Sequence, residues 1–204
     1  MLSKVILSAL AAVAAVQALP AAADLIPAGV SFEVRDAFPD GLWYGRTYPN
    51  GSMTGHQFDD AGVLKRSIVV HPRDDLVTKS KRSSSSSSSS SIKRRFVDCW
   101  GTALDRPGTD RAAQCLRNAA ARSGGIDLRS GAGPYYYSCV DSAVRVYYCI
   151  NAGNSWGNAN LEDVNYALSQ MDGRCPAYTA SYFRWDGTPE IVGKARADTP
   201  ICLG

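Results

Sequence analysis

At 204 residues and a formal net charge of +3, the chain is either one ordinary domain or the processed precursor of a smaller one. The surplus charge lies before residue 96, because residues 96–204 hold nine Arg and one Lys against nine Asp and two Glu, a net of −1. That balance argues against nucleic acid as the main partner, since phosphate binding rests on clustered Lys and Arg, and equally against a cationic membrane-lytic peptide.

The N-terminus reads as a secretory signal peptide over residues 1–18. Lys4 supplies a positive start, Val5 to Val16 is an apolar run, and Val16-Gln17-Ala18 offers small residues for cleavage after Ala18. The run is too short for a stable membrane span, and no later segment approaches the ~18 apolar residues that one needs. The expected product is therefore secreted and extracellular. In that setting six cysteines, Cys99, Cys115, Cys139, Cys149, Cys175 and Cys202, predict three disulfides, with 15 pairings open. They contain no C-x-x-C and have no histidine near them, so the sequence points to no metal and no cofactor.

Residues 19–82 read as a pro-segment without cysteine or long periodicity. Within it, residues 42–58 carry two strand-like runs around Pro49-Asn50-Gly51, a hairpin signal. A lone hairpin is marginal in water, so this one either leans on the downstream domain or stays loose. Asn50-Gly51-Ser52 is also an N-glycosylation sequon. Dibasic pairs follow, ending at Arg66, Arg82 and Arg95, and nine serines occupy 83–91 within the linker 83–95. A serine tract cannot bury apolar surface, and exposed chain is what a processing protease requires. The spacing of Lys81-Arg82 and Lys93-Arg94-Arg95 also matches a bipartite nuclear import signal, a reading that the signal peptide opposes.

Residues 96–204 form the cysteine-rich part. Phe96 to Trp100 suit a short strand. Gly108-Thr109-Asp110 offers a helix start, Ala112, Ala113, Leu116, Ala119 and Ala120 recur at helical spacing, and Ser123-Gly124-Gly125 stops the run. Ile126-Asp127-Leu128 is too short to assign. Tyr135–Cys139 and Val144–Ile150 read as strands around a turn at Asp141-Ser142, with Val144, Val146, Tyr148 and Ile150 on one face and Arg145, Tyr147 and Cys149 on the other. Residues 151–158 read as a loop ending at Asn160, an N-cap for a second helix with Glu162 and Asp163 in its first turn, an apolar stripe of Leu161, Val164, Leu168 and Met171, and Gly173 at its close. Tyr178–Trp185 and Glu190–Ala195 around Asp186-Gly187 suit a last hairpin. The predicted fold class is α+β: a small disulfide-stapled α/β sandwich in split β-α-β-β-α-β order, with an antiparallel sheet, two helices on one face and room for an extra terminal strand.

These features resemble fungal secreted cysteine-rich proteins of the killer-toxin and effector type. The local echo is Tyr147-Tyr148-Cys149-Ile150-Asn151, an Asn/Gly loop, then Leu161-Glu162-Asp163-Val164 running to Arg174-Cys175. The resemblance covers residues 96–204, is architectural, and transfers no functional residue. Smut-fungus killer toxins have α/β-sandwich folds of this sort, and in such precursors the dibasic pairs resemble sites for a kexin-type processing protease.

The part after residue 95 has no histidine, which excludes Ser-His-Asp and Cys-His nucleophiles there. Carboxylate chemistry on glycans stays open through Asp127, Asp141 or Glu190. Aromatic residues are too numerous for one core face, so Trp156, Trp185, Tyr147 and Arg145 are candidates for binding an extracellular protein or glycan. The sequence thus favours a toxin- or effector-like binding protein over an enzyme, the alternative being a carboxylate-dependent hydrolase of cell-wall glycans. A third reading takes the active product from the leader, as residues 67–82. Intact-mass analysis of the secreted material is expected to show cuts after Ala18 and at the dibasic pairs, with a mass deficit of two hydrogens for each of three disulfides.

Overall fold

The computed structural model describes residues 33–59, 63–71 and 96–203. The expected signal peptide over residues 1–18, Arg82, Arg95 and the serine tract therefore lie outside the described residues. Among the described residues two helices and eleven strands follow in the order β1 (Glu33–Arg35), β2 (Gly41–Thr47), β3 (Met53–Phe58), β4 (Leu64–Val70), β5 (Phe96–Ala103), α1 (Arg106–Ala120), β6 (Ile126–Arg129), β7 (Tyr135–Asp141), β8 (Val144–Ile150), β9 (Trp156–Ala159), α2 (Leu161–Arg174), β10 (Thr179–Arg184) and β11 (Glu190–Arg196).

Nine strands form one sheet in the order β1-β4-β3-β2-β7-β8-β11-β10-β5, and β6 pairs with β9 in a separate ribbon. All pairs are antiparallel except the short β1–β4 contact. The α+β class with an antiparallel sheet and three disulfides is what the sequence predicts. The split arrangement is not what the sheet displays. Strands after residue 95 run as neighbouring antiparallel partners, and β5 sits at the edge beside β10 instead of interleaving between later strands.

Of the two outcomes expected for the hairpin in residues 33–71, the structure displays the one in which it leans on the downstream part. The expected hairpin forms as β2–β3, with Gly51 at φ 82° in its turn and Asn50 exposed there, its side-chain Oδ1 accepting from the Ser52 amide at 3.0 Å. It does not stay loose. β2 pairs with β7 over six positions, from Gly41–Val140 to Arg46–Tyr135, and carries β3, β4 and β1 into the same sheet. Alternation explains why the join is tight. Trp43 and Tyr44 point to opposite faces of β2, and both are buried.

Two cores result, one on each face. The helix-side core gathers Leu116, Val164, Leu168 and Met171 with Tyr44, Val146, Tyr148, Ile150 and Phe183. The opposite core gathers Phe38, Trp43, Met53, Ile68 and Val70 with Tyr136, Tyr147, Ile191 and the C-terminal Ile201. Both faces of β8 are therefore covered, and all seven of its residues are buried. The faces expected for β8 hold, with Val146, Tyr148 and Ile150 under the helices and Tyr147 and Cys149 opposite.

Helix starts follow side-chain chemistry. Asn160 caps α2 as expected, in a reciprocal box in which its Oδ1 accepts from the Asp163 amide at 3.0 Å and Asp163 Oδ2 accepts from the Asn160 amide at 3.1 Å. The α1 start lies earlier than the Gly108-Thr109-Asp110 reading. Asp105 is the cap, accepting from the Gly108 amide at 2.7 Å, and Pro107 suits a first turn whose amides have no helical partner. Gly173 does not close α2, which runs to Arg174 and is stopped at Cys175. The disulfides join unlike layers: Cys99–Cys175 ties β5 to the end of α2, Cys115–Cys139 ties α1 to β7, and Cys149–Cys202 ties β8 to the C-terminal segment across the opposite face. Each contributes about 2–4 kcal/mol. Trp43→Ala is expected to cost about 3–5 kcal/mol in a denaturant titration of the whole chain, because Trp43 is fully buried and packs edge-on against Phe38 at 5.0 Å.

Candidate functional site: an aromatic and acidic recess

The ribbon β6–β9 fills the gap that the sequence leaves as loops. β6 has only four residues, and β9, equally short, carries Gly157 and Asn158, so both give little strand signal; what makes them strands here is alternation against the helix-side core. Ile126, Leu128, Gly157 and Ala159 face inward and are buried, whereas Asp127, Arg129, Trp156 and Asn158 face outward. Trp156 is 70% exposed and lies opposite Arg129. Gly157 is required by a close approach: a Cβ there would stand 2.4 Å from Glu190 Oε1 and 2.5 Å from Tyr148 Oη.

Beneath Gly157, Tyr148 donates its hydroxyl proton to Glu190 Oε1 at 2.6 Å. Burial, then the hydrogen bond and charge of Glu190, push the tyrosine pKa far above its ordinary value, so Tyr148 is a fixed donor. Asp163 and Asp127 act on the same phenol in the same direction. Next to this pair is a recess of about 160 Å³ lined by Asn158, Ala159, Asp163, Trp185, Thr188 and Glu190. Trp185 is half-buried and packs edge-on against Phe183 at 4.8 Å. Trp156 lies two residues before Asn158 on the same face of β9, about 7 Å along the strand. An exposed indole thus leads to a small polar hollow with a second indole on its wall. The hollow is smaller than the ~300 Å³ at which ligand pockets usually begin, so it suits one unit of a longer molecule.

Of the residues singled out in sequence, Trp185 and Glu190 line the recess, Asp127 lies opposite Asn158 across the β6–β9 ribbon, and Trp156 lies on the same face of β9 as Asn158. The structure removes others. Tyr147 and Arg145 are buried in the opposite core, at 1% and 0% exposure, and cannot meet a ligand at the surface. They sit there because β8 is covered on both faces, which no pattern within β8 reveals. Asp141 lies at the far end of β7 and is clamped by Arg111, with contacts of 2.7 and 3.0 Å that hold its carboxyl below the usual range. Arg66 lies inside β4, opposite Gln57, whose Oε1 accepts from its Nε at 2.6 Å. The folded chain protects that dibasic pair, because a protease must first draw β4 out of the sheet.

Two features escaped sequence reading. Phe96 and Trp100 on edge strand β5 flank Tyr182 at 5.9 and 5.8 Å, and both are partly exposed. Their planes are tilted to Tyr182 by 44° and 62°, so they make no flat platform for stacking. The other is a serine–histidine pair across β3–β4, His56 Nδ1 to Ser67 Oγ at 2.7 Å. Both residues are buried, which closes the hydroxyl to substrate. Only the cross-strand register brings these residues together. Among the described residues there is no cluster fit to hold a metal, and no helix is long and apolar enough to cross a membrane. No protein-family model matches the chain, and neither curated proteins nor solved structures provide a significant match.

Burial lowers the pKa of His56 below its ordinary 6.5. The unfolded chain then binds the proton first as pH falls, so stability drops with decreasing pH below about 6.5, by at most ~1.4 kcal/mol per pH unit. His56→Gln is expected to remove that part of the slope in denaturant titrations between pH 7 and pH 5.

Proposed function

We propose that this is a secreted, toxin- or effector-like binding protein that engages a glycan, or a glycan-bearing protein, on another cell through the Trp156 face and its adjoining recess. The observation that carries the reading is Trp156, the most exposed large hydrophobic side chain among the described residues, placed on the same strand face as Asn158 at the recess. Sugar rings offer an apolar face for an indole and a rim of hydroxyls for amide and carboxylate partners. Trp156 and Trp185 supply the first, and Asn158, Thr188 and Glu190 the second. The resemblance to fungal killer toxins and effectors supports the same reading, as do the disulfides, which fit an oxidising compartment. Export through the signal peptide, processing at Arg82 and Arg95 by a kexin-type protease, and glycosylation at Asn50 belong to this proposal.

A second reading rests on the carboxylates. Glu190 and Asp163 both line the recess, and a hydrolase working on cell-wall sugars needs two acids at one site. Asp163 is engaged in the cap of α2 and Glu190 in the tyrosine hydrogen bond, which favours binding over turnover. Presenting the secreted protein to an array of fungal and plant cell-wall glycans separates the two. A binding protein retains its ligand unchanged, and Trp156→Ala or Trp185→Ala weakens retention at least tenfold. Release of shortened glycan that is abolished by Glu190→Gln would establish the hydrolase, and the lack of any binding to glycans or to intact cells would sink the proposal.

A further inference from the structure

We infer that residues 33–71 are a permanent strand-providing subunit of the cysteine-rich part, so that a cut in the connection after residue 71 yields a two-chain protein and not a free C-terminal domain. This concerns which polypeptide reaches the target, and it holds whatever the recess binds.

The join is a mid-sheet ladder and a shared core. β2 covers the edge of β7 over six paired positions. Gly45 marks its closest point: a Cβ there would stand 1.9 Å from Thr54 O and 2.6 Å from Tyr136 Oη, so β2, β3 and the Tyr136 ring leave room for hydrogen only. Tyr136 donates its hydroxyl to Thr54 O at 2.8 Å. Trp43, Met53, Ile68 and Val70 are 0% exposed in one cluster with Tyr136, Tyr147 and Cys149.

Arg145 makes separation unfavourable. Its guanidinium is fully buried, 4.0 Å from the centre of the Phe38 ring and 5.3 Å from that of Tyr136, with Nη1 at 3.1 Å from Met53 Sδ and Nη2 donating to Ala197 O at 3.1 Å. Phe38 and Met53 both come from the N-terminal part. Losing them would leave a cation in a half-open apolar site and uncover Tyr136 and Tyr147.

Continuity of the chain contributes none of this. Val70 ends β4 and Phe96 begins β5 at the same end of the sheet, with seven inter-strand steps of about 4.8 Å between those strands. All three disulfides lie within Cys99–Cys202, so the two parts are held by packing and pairing alone.

The test replaces Ser85–Ser91 in the full chain with the recognition sequence of a site-specific protease, cuts it to completion, and passes it over a size-exclusion column at micromolar concentration. The expected result is one peak containing both pieces, with near-ultraviolet circular dichroism unchanged. The pieces should then part in denaturant without any reductant. Gly45→Val, cut in the same way, should shift the N-terminal piece to a separate peak. Separate peaks from the unsubstituted cut protein, or a C-terminal piece that alone keeps the native aromatic dichroism, would overturn the inference.

Discussion

The pairing of β2 with β7 is the constraint on which the rest of the structure depends. It converts a five-stranded antiparallel sheet into a nine-stranded one and places β7 and β8 near the middle, where both faces must be covered. A central strand covered on both faces needs side chains that tolerate full burial in both directions. β8 supplies Val146, Tyr148 and Ile150 on one side and Tyr147 and Cys149 on the other. Arg145 is the exception, and it is accommodated because Phe38 and Tyr136 present ring faces to the guanidinium.

The disulfides follow the same logic. Each links a strand to something outside its own sheet ladder: the end of α2, the middle of α1, or the C-terminal segment. A disulfide stabilises mainly by restricting the unfolded chain, more for a longer loop, and these three close sequence separations of 76, 24 and 53 residues. Cys149–Cys202 in particular holds the C-terminal segment over the core that the N-terminal strands complete.

The candidate site lies where elements from distant parts of the sequence end together. Trp185 follows the end of β10, Glu190 opens β11, Asn158 precedes the cap of α2, and Tyr148 rises from β8 to meet Glu190. Rigid strands position these groups while their tips remain at the surface. Recognition sites favour such a place, because the scaffold bears the ordering cost before a ligand arrives.

Much of the local structure is legible in the chain itself. Period-two alternation identifies the strands of 135–150 with their faces, period-3.6 recurrence identifies both helices, Asn160 announces its cap, and Asn50-Gly51 announces the hairpin. The even cysteine count predicts three disulfides. These are local matters of backbone geometry and side-chain chemistry, written within a few residues of where they act. Tertiary structure decided which edge the hairpin covers, which cysteines meet, that Gly- and Asn-rich residues 156–159 become a strand, and that Arg145 and Tyr147 are core while Trp156 is surface. A β-strand carries two faces and two edges, and its own sequence says nothing of what will cover them. For residues 33–71 the deciding fact was the unpaired edge of β7, whose residues lie 89 to 99 positions further along the chain than their partners in β2.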